Sequence, residues 1–443
     1  MPWVGDNEVM YWASLLHFYQ PPGQLHDVLR RVCDESYRPL IDVFRRHRNA
    51  CVTVNINGVL TEMLWENGFQ DVIDGLGELA ARGQVEFVGS GQFHPILPLI
   101  SEDERRRQIA RNHVVNRHFF GDVYQPRGFF PPEMCFSSDI VDSIVAQGYQ
   151  WVLVSGVACP VAWPMDVIHQ VAGSEGSLSV FFRDDVLSNK VSFQSLDGPG
   201  FIGHLRDLGS SEDGDVYVVT AQDAETFGHH IKDWETVFLA EVYEALAEEQ
   251  PLAALAGSRP TRQTAAGQHS ALLDFQAERE SEIQAVTLSQ LLDKFPTGQV
   301  VEPKASSWST TAEDIDAGNP YPLWNSPDNE VHRLQWEHLL ICQELLRQAQ
   351  QHADSEDSRS FARIARSLMD RAEHSCQFWW ASRRPMWDVN MIHRGLMQQE
   401  QVILNAFRAV ALSQATPEVR RESYYRVLAA RDVRAKIVDQ LFL

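Results

Sequence analysis

Short apolar runs alternate with amphipathic helical patterns along the chain up to about residue 310. Seven of these runs are rich in β-branched or aromatic residues and end at polar residues, Gly or Pro, which predicts buried strands. They cover residues 8–18, 50–58, 84–93, 125–130, 149–156, 178–185 and 216–223. Helical patterns between them, such as 70–83 and 101–120, imply a parallel sheet with helices outside it. A closed barrel and an open doubly wound sheet both fit this alternation.

The pattern changes twice further along the chain. Residues 251–281 are small, polar and poorly periodic, which predicts a surface excursion between a helix over 233–249 and a strand over 285–288. From about residue 326 onward, long helical periodicity with few glycines predicts a helical bundle. The expected organisation is therefore a strand-and-helix domain over residues 1–325 and a C-terminal bundle over residues 326–443. Within the helix over 101–120, Ser101 followed by Glu104 predicts a capping box.

Composition excludes several classes of partner. The 443-residue chain has a formal net charge of −22, which argues against nucleic acid and against an anionic membrane surface. A neutral sugar carries no such penalty. The six cysteines form no CxxC pair, so no zinc knuckle or redox pair is indicated. The N-terminus has no basic leader, and no apolar run approaches the roughly 20 residues that span a bilayer, so we expect a cytoplasmic protein.

Polar and aromatic residues collect just after the predicted strands. No GxGxxG follows the first strand and no phosphate-binding loop motif occurs, which weakens nucleotide-binding interpretations. In a barrel, chemistry gathers at the carboxyl ends of the strands. The residues found there, together with one tryptophan in a late loop, are His17, Gln20, His94, Glu133, Asp223, Glu225 and Trp308.

Each of these residues also has a structural explanation when it is taken alone. A single His17 or His94 is more often a satisfied structural histidine, and Glu133 fits an acid at a helix N-terminus. Asp223 fits a helix N-cap, and Trp308 could fold back onto the barrel. Their shared position at strand ends nevertheless favours a functional site.

The stretch GFFPPEMCFS, residues 128–137, places Glu133 directly after two prolines. Proline fixes its own backbone and restricts the residue before it, so Glu133 stands on a stiff support. Two carboxylates on separate strands, surrounded by His and Trp, are the groups that a glycosidase needs. One attacks the anomeric carbon, and the other protonates the leaving oxygen and then activates water. A retaining mechanism places the two carboxyl groups about 5–5.5 Å apart.

Five stretches, in this order, resemble the conserved regions of glycoside hydrolase family 57, the retaining enzymes that act on α-glucans. They are HFYQPP, GQFHPILPL, FFPPE, DAETFGHH and SSWST, and the resemblance covers roughly residues 8–325. The family implies an incomplete (β/α)7 barrel followed by a helical bundle, with an α-glucan or maltooligosaccharide as substrate and no metal or other cofactor.

The resemblance also implies a role for each matching residue. Glu133 is expected to be the nucleophile and Asp223 the general acid/base, with Glu225 as the alternative acid/base. Four residues are expected to line the central sugar subsite: His17, Gln20, His94 and Trp308. Many family members carry a second histidine where this chain has Tyr19, so the subsite differs in detail.

Two further expectations follow from comparison with the family. The chain is shorter than the family's typical branching enzymes, so we expect hydrolysis or disproportionation rather than branching. The aromatic cluster over residues 376–387 could either close one side of the cleft or pack in the core of the bundle.

Three functions remain open from the sequence. The leading one is an α-amylase or 4-α-glucanotransferase, and sequence does not decide whether water or a sugar accepts the glycosyl group. The second is a metal-dependent polysaccharide deacetylase or α-mannosidase-like enzyme, which requires a His/Asp metal cluster. The third is a carbohydrate-binding protein that kept the fold without turnover.

Overall fold

The computed structural model describes residues 8–256 and 282–442. The described part of the chain contains strands β1 Val9–Phe18, β2 Val52–Ile56, β3 Val85–Val88, β4 Gly128–Phe129, β5 Trp151–Ser155, β6 Ile168–Ala172, β7 Ser177–Arg183, β8 Val216–Asp223, β9 Glu282–Val286 and β10 Thr297–Val300. Its helices are α1 His26–Val32, α2 Arg38–Arg46, α3 Gly58–Glu66, α4 Gln70–Ala81, α5 Glu102–Phe120, α6 Val141–Val145, α7 Asp185–Ser192, α8 Gly198–Ser210, α9 Glu241–Ala256, α10 Leu288–Leu291, α11 Ala312–Asp316, α12 Glu330–His352, α13 Glu356–Ala372, α14 Cys376–Trp379, α15 Val389–Ala411 and α16 Pro417–Gln440.

All seven of the predicted strands are present: β8 has the predicted bounds, β7 begins one residue early and ends two residues early, and the other five are shorter than predicted. The strand expected over 285–288 begins three residues earlier, at Glu282, and Leu288 already starts α10. β6 was not predicted, because IHQVA is short and has polar residues at its second and third positions. It pairs antiparallel with β7, so it lies outside the parallel strand-and-helix alternation that the sequence predicts.

The strands form two sheets. In the first, the order is β3-β2-β1-β8, and β9 pairs with the first half of β1 while β2 pairs with its second half. In the second, the order is β10-β6-β7-β5-β4. The described residues do not form one closed barrel, so the fold is an α/β fold with two sheets and surrounding helices.

Hydrogen bonds join the two sheets at both seams. Between β3 and β4, the Gly89 amide donates to the Gly128 carbonyl at 2.8 Å, and Phe130 donates back to Gly89 at 2.9 Å. Between β7 and β8, the Asp184 amide donates to the Val219 carbonyl at 2.8 Å. β1, β2, β3, β4, β5, β7 and β8 are linked through parallel pairs within their sheets, so their carboxyl ends lie on one side of the molecule.

Helix α5 begins with half of the predicted capping box. The Ser101 hydroxyl accepts from the Glu104 amide at 3.4 Å, as a capping serine should. The Glu104 carboxylate does not return to Ser101. It accepts instead from both terminal nitrogens of Arg366 on α13, at 2.5 and 2.8 Å. A charge-assisted pair between two helices has therefore replaced the second, local bond.

The region after residue 326 is helical, as predicted. Helices α12, α13, α15 and α16 share one apolar cluster that contains Leu345, Met369 and Val402. The same cluster includes Ile96 and Cys135, so it also packs against the strand-bearing part of the chain. None of the helices in the described residues is long and apolar enough to cross a membrane.

The predicted surface excursion over residues 251–281 is only partly described. Helix α9 continues to Ala256, so the first six of these residues extend the preceding helix rather than leaving it. Residues 257–281 lie outside the described residues.

Candidate active site

His17 lies near the end of β1, between the strand that carries Asn55 and the strand that carries Asp223. In the parallel pairing it stands opposite Asn55 on β2 and opposite Asp223 on β8. Its Nδ1 lies 2.6 Å from the Asn55 side-chain oxygen, so that nitrogen carries the proton. Burial lowers the pKa of His17 to about 4, although the bond to Asn55 opposes this shift. The imidazole is therefore neutral near pH 7, with Nε2 as an acceptor.

Glu133 follows β4 within a short 3-10 turn, Pro132–Met134. Its φ is 58°, a left-handed conformation that few non-glycine residues adopt and that is often found at functional sites. Pro131 and Pro132 precede it, as the sequence showed, and its side chain is 14% exposed. The explanation as a helix N-terminal acid fails, because no helix of useful length starts here.

Two donors hold the Glu133 carboxylate. Trp308 Nε1 donates to Oε2 at 3.1 Å, and the Ser375 hydroxyl donates to Oε1 at 3.2 Å. The Trp308 amide also donates to the Glu133 carbonyl at 3.2 Å. Both side-chain donors stabilise the ionised form of the acid, and they come from segments 175 and 242 residues away in the chain.

Asp223 is the last residue of β8 and is half-buried. It occupies the N-cap position of the following 3-10 turn, but its side chain makes no capping bond. The structural explanation as an N-cap therefore fails. The negative charge of Asp223 acts on the Glu133 carboxyl, so the two acids lie close enough to interact through space.

Glu225 is committed to other partners. Its Oε1 accepts from the Gln20 amide at 2.9 Å and from the Tyr37 hydroxyl, and the residue is 4% exposed. Gln20 is in turn held by Gln24, whose amide donates to the Gln20 oxygen at 2.9 Å. Gln20 and Glu225 thus form a local network beside the Asp223 carboxyl rather than a pair of free groups.

His94 also adopts a left-handed conformation, with φ 57°. Its ring stacks on Tyr19, with centroids 3.9 Å apart, and on His17 at 4.9 Å. Its Nδ1 lies 2.8 Å from the Ser375 hydroxyl. Because that hydroxyl gives its hydrogen to Glu133, Nδ1 must donate, and Nε2 is then a buried acceptor. Nε2 has no partner in the described protein.

Trp308 is half-buried beside the acids. The indole meets His17 and Phe130 edge-on, with centroid distances of 5.9 Å in both cases. It therefore combines the two roles expected for it: it packs against the ends of the strands, and it directs its N–H at Glu133.

Sequence reasoning missed Ser375, which lies just before α14, and named its neighbour Cys376 only as the first residue of the aromatic cluster over 376–387. Ser375 bonds Glu133 and His94, and the Cys376 thiol donates to the Tyr19 hydroxyl at 3.4 Å. The aromatic cluster over residues 376–387 begins at Cys376. We expected it either to close one side of the cleft or to pack in the bundle core, and its residues do both. Cys376 reaches the site, whereas Phe378 is buried in the apolar cluster of the helical region.

Burial raises the pKa of all three acids. That of Glu133 rises to about 8, first because of burial and then because of the charge of Asp223. The pKa of Asp223 rises to about 6 through burial, with the positive charge of Arg183 opposing the rise. The pKa of Glu225 rises to about 8, again through burial and then Asp223. Near pH 7, Asp223 is therefore ionised, while Glu133 and Glu225 each hold a proton.

The described residues offer no metal site built from the usual ligands. In residues 8–256 and 282–442, no three His, Cys, Asp or Glu side chains are grouped as metal ligands. Of the paired histidines after Asp223, His229 bonds the Glu35 carboxylate at 2.5 Å.

The chain belongs to glycosyl hydrolase family 57, because the model of that family matches residues 2–259, more than half of the chain. This confirms the resemblance inferred from the five motifs. The alpha-amylase of Pyrococcus abyssi is 27% identical over 249 residues, which are 54% of this chain and 36% of that protein. The 4-alpha-glucanotransferase of Thermococcus kodakarensis is 27% identical over 257 residues, 55% of this chain and 37% of that protein. The matches thus span little more than a third of these relatives.

The fold is shared over a greater length. The GH57-type branching enzyme from Pyrococcus horikoshii superposes with a TM-score of 0.66 at 16% identity, covering 95% of this chain and 94% of that chain. Chain length therefore does not separate this protein from branching enzymes, and the expectation that it argues against branching loses its basis.

Proposed function

We propose that this protein is a retaining enzyme acting on α-glucans, either as an α-amylase or as a 4-α-glucanotransferase. One observation carries the proposal: in a member of glycosyl hydrolase family 57, His17 stands opposite Asp223 in the β1–β8 pairing and packs against Trp308, whose indole bonds Glu133, so both acids flank one imidazole. Both acids keep part of their surface exposed, beside His17, His94 and Trp308.

Glu133 is the proposed nucleophile. Its carboxylate attacks the anomeric carbon as the bond to the leaving oxygen breaks, and Asp223 gives its proton to that oxygen. In the second step, Asp223 takes a proton from water or from the hydroxyl of an acceptor sugar. The oxygen so activated attacks the anomeric carbon and frees Glu133. The stiff support of Glu133 favours this role, because a nucleophile must be held in near-attack geometry.

The mechanism requires the proton to change place. Before substrate binds, Glu133 holds a proton and Asp223 does not, whereas the reaction needs Asp223 protonated and Glu133 ionised. The two donors to Glu133, Trp308 and Ser375, favour its ionised form, and a glycosidic oxygen next to Asp223 would accept its proton. Substrate binding would therefore select the arrangement with the proton on Asp223.

The proposed central subsite contains His17, Gln20, His94 and Trp308. The unpartnered Nε2 of His94 suits a sugar hydroxyl donor, because an unsatisfied buried acceptor is costly until a ligand fills it. Trp308 offers an apolar indole for a sugar face. Gln20 acts through Glu225, because its amide is already engaged there.

We further propose that the seven linked parallel strands approximate an incomplete (β/α)7 barrel over residues 1–325, with a helical bundle over 326–443. The hydrogen bonds at the β3–β4 and β7–β8 seams support this arrangement. The proposed chemistry uses the two acids and requires no metal.

Chromatography of the products from maltoheptaose tests the proposal. The wild-type protein should give shorter sugars alone if water is the acceptor, or a ladder in both directions if another sugar is. Glu133→Gln should give neither, and the exposed Glu302→Gln is the matched control that should retain activity. Undiminished activity of Glu133→Gln would refute the proposal.

Two outcomes separate the alternatives. Oligosaccharide binding by calorimetry, with no turnover over days, would indicate the carbohydrate-binding protein. Activity that disappears after exhaustive chelation and returns with added metal would indicate the metal-dependent enzyme.

A further inference from the structure

A groove lined by arginines lies between α5 and α13, and none of the candidate active-site residues lines it. It has a volume of about 420 Å³. The arginines that line it are Arg107, Arg111, Arg359, Arg363 and Arg366. Such a concentration of positive charge is unexpected in a chain with a net charge of −22. Asp370 is the only carboxylate among the described residues that line the groove.

The carboxylates present do not balance these arginines. Asp370 is 1% exposed and is shared: Arg107 makes two bonds of 2.7 Å to it, Arg366 makes one of 2.9 Å, and Arg111 lies 3.6 Å away. Arg366 also pairs with Glu104. Glu373 also acts on Arg366, and Glu62 acts on Arg111, but no carboxylate in the described residues pairs with Arg359 or Arg363, so the excess positive charge comes from these two arginines.

The excess charge sits on the side of the groove formed by α13. Arg359 and Arg363 are both exposed, one turn apart on that helix. Arg359 donates to the backbone carbonyl of Asp354, and neither residue forms an ion pair with a carboxylate in the described part of the chain. The ion pairs that tie α5 to α13 account for Arg107 and Arg366, but they leave Arg359 and Arg363 without a charged partner.

The remaining groups that line the groove are donors of the kind that bind phosphate. Guanidinium groups match phosphate oxygens with two parallel hydrogen bonds. Ser367 and Gln350 add a hydroxyl and an amide. Arg366 is 12% exposed, and its Nε is buried without an acceptor, so Glu104 and Asp370 satisfy this guanidinium only in part.

We infer that this groove binds a phosphorylated small molecule of sugar-phosphate size. The volume lies within the range of about 300–1,000 Å³ typical of small-molecule sites. A dianionic phosphate between α5 and α13 would neutralise most of the excess charge. The site is separate from the acids of the candidate active site and does not depend on the function proposed for them.

Isothermal titration calorimetry with inorganic phosphate tests the inference, using the full chain at low salt and sodium chloride of equal ionic strength as the blank. The wild-type protein should bind phosphate saturably with one site. The double variant Arg359→Gln/Arg363→Gln should bind at least about tenfold more weakly, since each charge-assisted hydrogen bond contributes about 1.5–3 kcal/mol. Arg394→Gln, an exposed arginine on α15, is the matched control and should bind as the wild type does.

A second titration uses glucose 1-phosphate, which should also lose affinity in the double variant. Three results would overturn the inference: no saturable phosphate binding by the wild type, equal binding by the double variant, or glucose 1-phosphate binding that the double variant leaves unchanged. Both substituted residues are exposed, so the variants are expected to fold, and near-wild-type thermal unfolding checks this.

Discussion

Ser375 donates a hydrogen bond of 3.2 Å to Glu133 across 242 residues of sequence, and thereby ties the helical region to the acid at the end of β4. The same hydroxyl lies 2.8 Å from His94 Nδ1, and the Ser375 amide donates to the His94 carbonyl at 2.9 Å. Ser375 is fully buried. One serine thus fixes both the proposed nucleophile and the histidine stacked beside it.

Ser375→Ala should lower kcat by roughly 10- to 100-fold, because a hydrogen bond to a charged group contributes about 1.5–3 kcal/mol. Since the Ser375 bond lowers the pKa of Glu133, its loss should also move the alkaline limb of the pH–rate profile upward. Steady-state kinetics over a pH series measure both effects. Ser360→Ala, at a half-buried position on α13, is the control. A fall in kcat with an unmoved alkaline limb would mean that Ser375 has only a structural role.

The pH dependence of kcat/KM should be bell-shaped, with limbs near pH 6 and pH 8. Below the pKa of Asp223, about 6, both carboxyls are protonated and no nucleophile is present. Above the pKa of Glu133, about 8, neither is protonated and no acid is available. The two limbs belong to the pair, whichever residue holds the shared proton. A rate that stays constant from pH 5 to pH 9 would contradict the pairing.

Asp223 and Glu225 should respond differently to loss of charge. Asp223→Asn should lower kcat on maltoheptaose by about 10²–10⁴-fold, the usual contribution of a general acid/base. Glu225→Gln should keep most of the activity, because a glutamine oxygen can still accept from Gln20 and Tyr37. If Glu225→Gln is the inactive variant and Asp223→Asn the active one, the acid/base is Glu225.

Glu225→Gln should also change how stability depends on pH. The folded pKa of Glu225 is about 8, above its ordinary value of 4.5, so its protonated form contributes stability below pH 4.5. That contribution is lost as the pH rises through 8. The variant has no titrating group at this position. The difference in the midpoint of thermal unfolding, variant minus wild type, should therefore be more positive at pH 8.5 than at pH 5. A constant difference across this range would show that Glu225 is not buried as an acid.

The sequence predicted the candidate site best where a reactive side chain directly follows a recognisable local pattern. The two prolines before Glu133 predicted a rigid acid, and the buried run before Asp223 predicted a strand that ends at a carboxylate. Local pattern did not reveal Ser375, which follows α13 far from the five motifs and resembles any small residue at a helix end. It also could not show that Gln20 is engaged by Glu225, since that bond spans 205 residues. The second hydrogen bond of the capping box predicted at Ser101 is absent for the same reason. Glu104 pairs instead with Arg366, which lies on another helix.

The most direct test of the central claim is the stereochemistry of azide rescue with α-maltosyl fluoride as donor. Glu133→Gly suits the left-handed backbone at this position and leaves space for azide, and it should give the β-glycosyl azide, with inverted configuration. Asp223→Ala should give the α-glycosyl azide, because azide then attacks the covalent intermediate on Glu133. The anomeric proton coupling in NMR spectra of the products distinguishes the two. The same anomer from both variants, or rescue of neither, would contradict the assignment of Glu133 as nucleophile and Asp223 as acid/base.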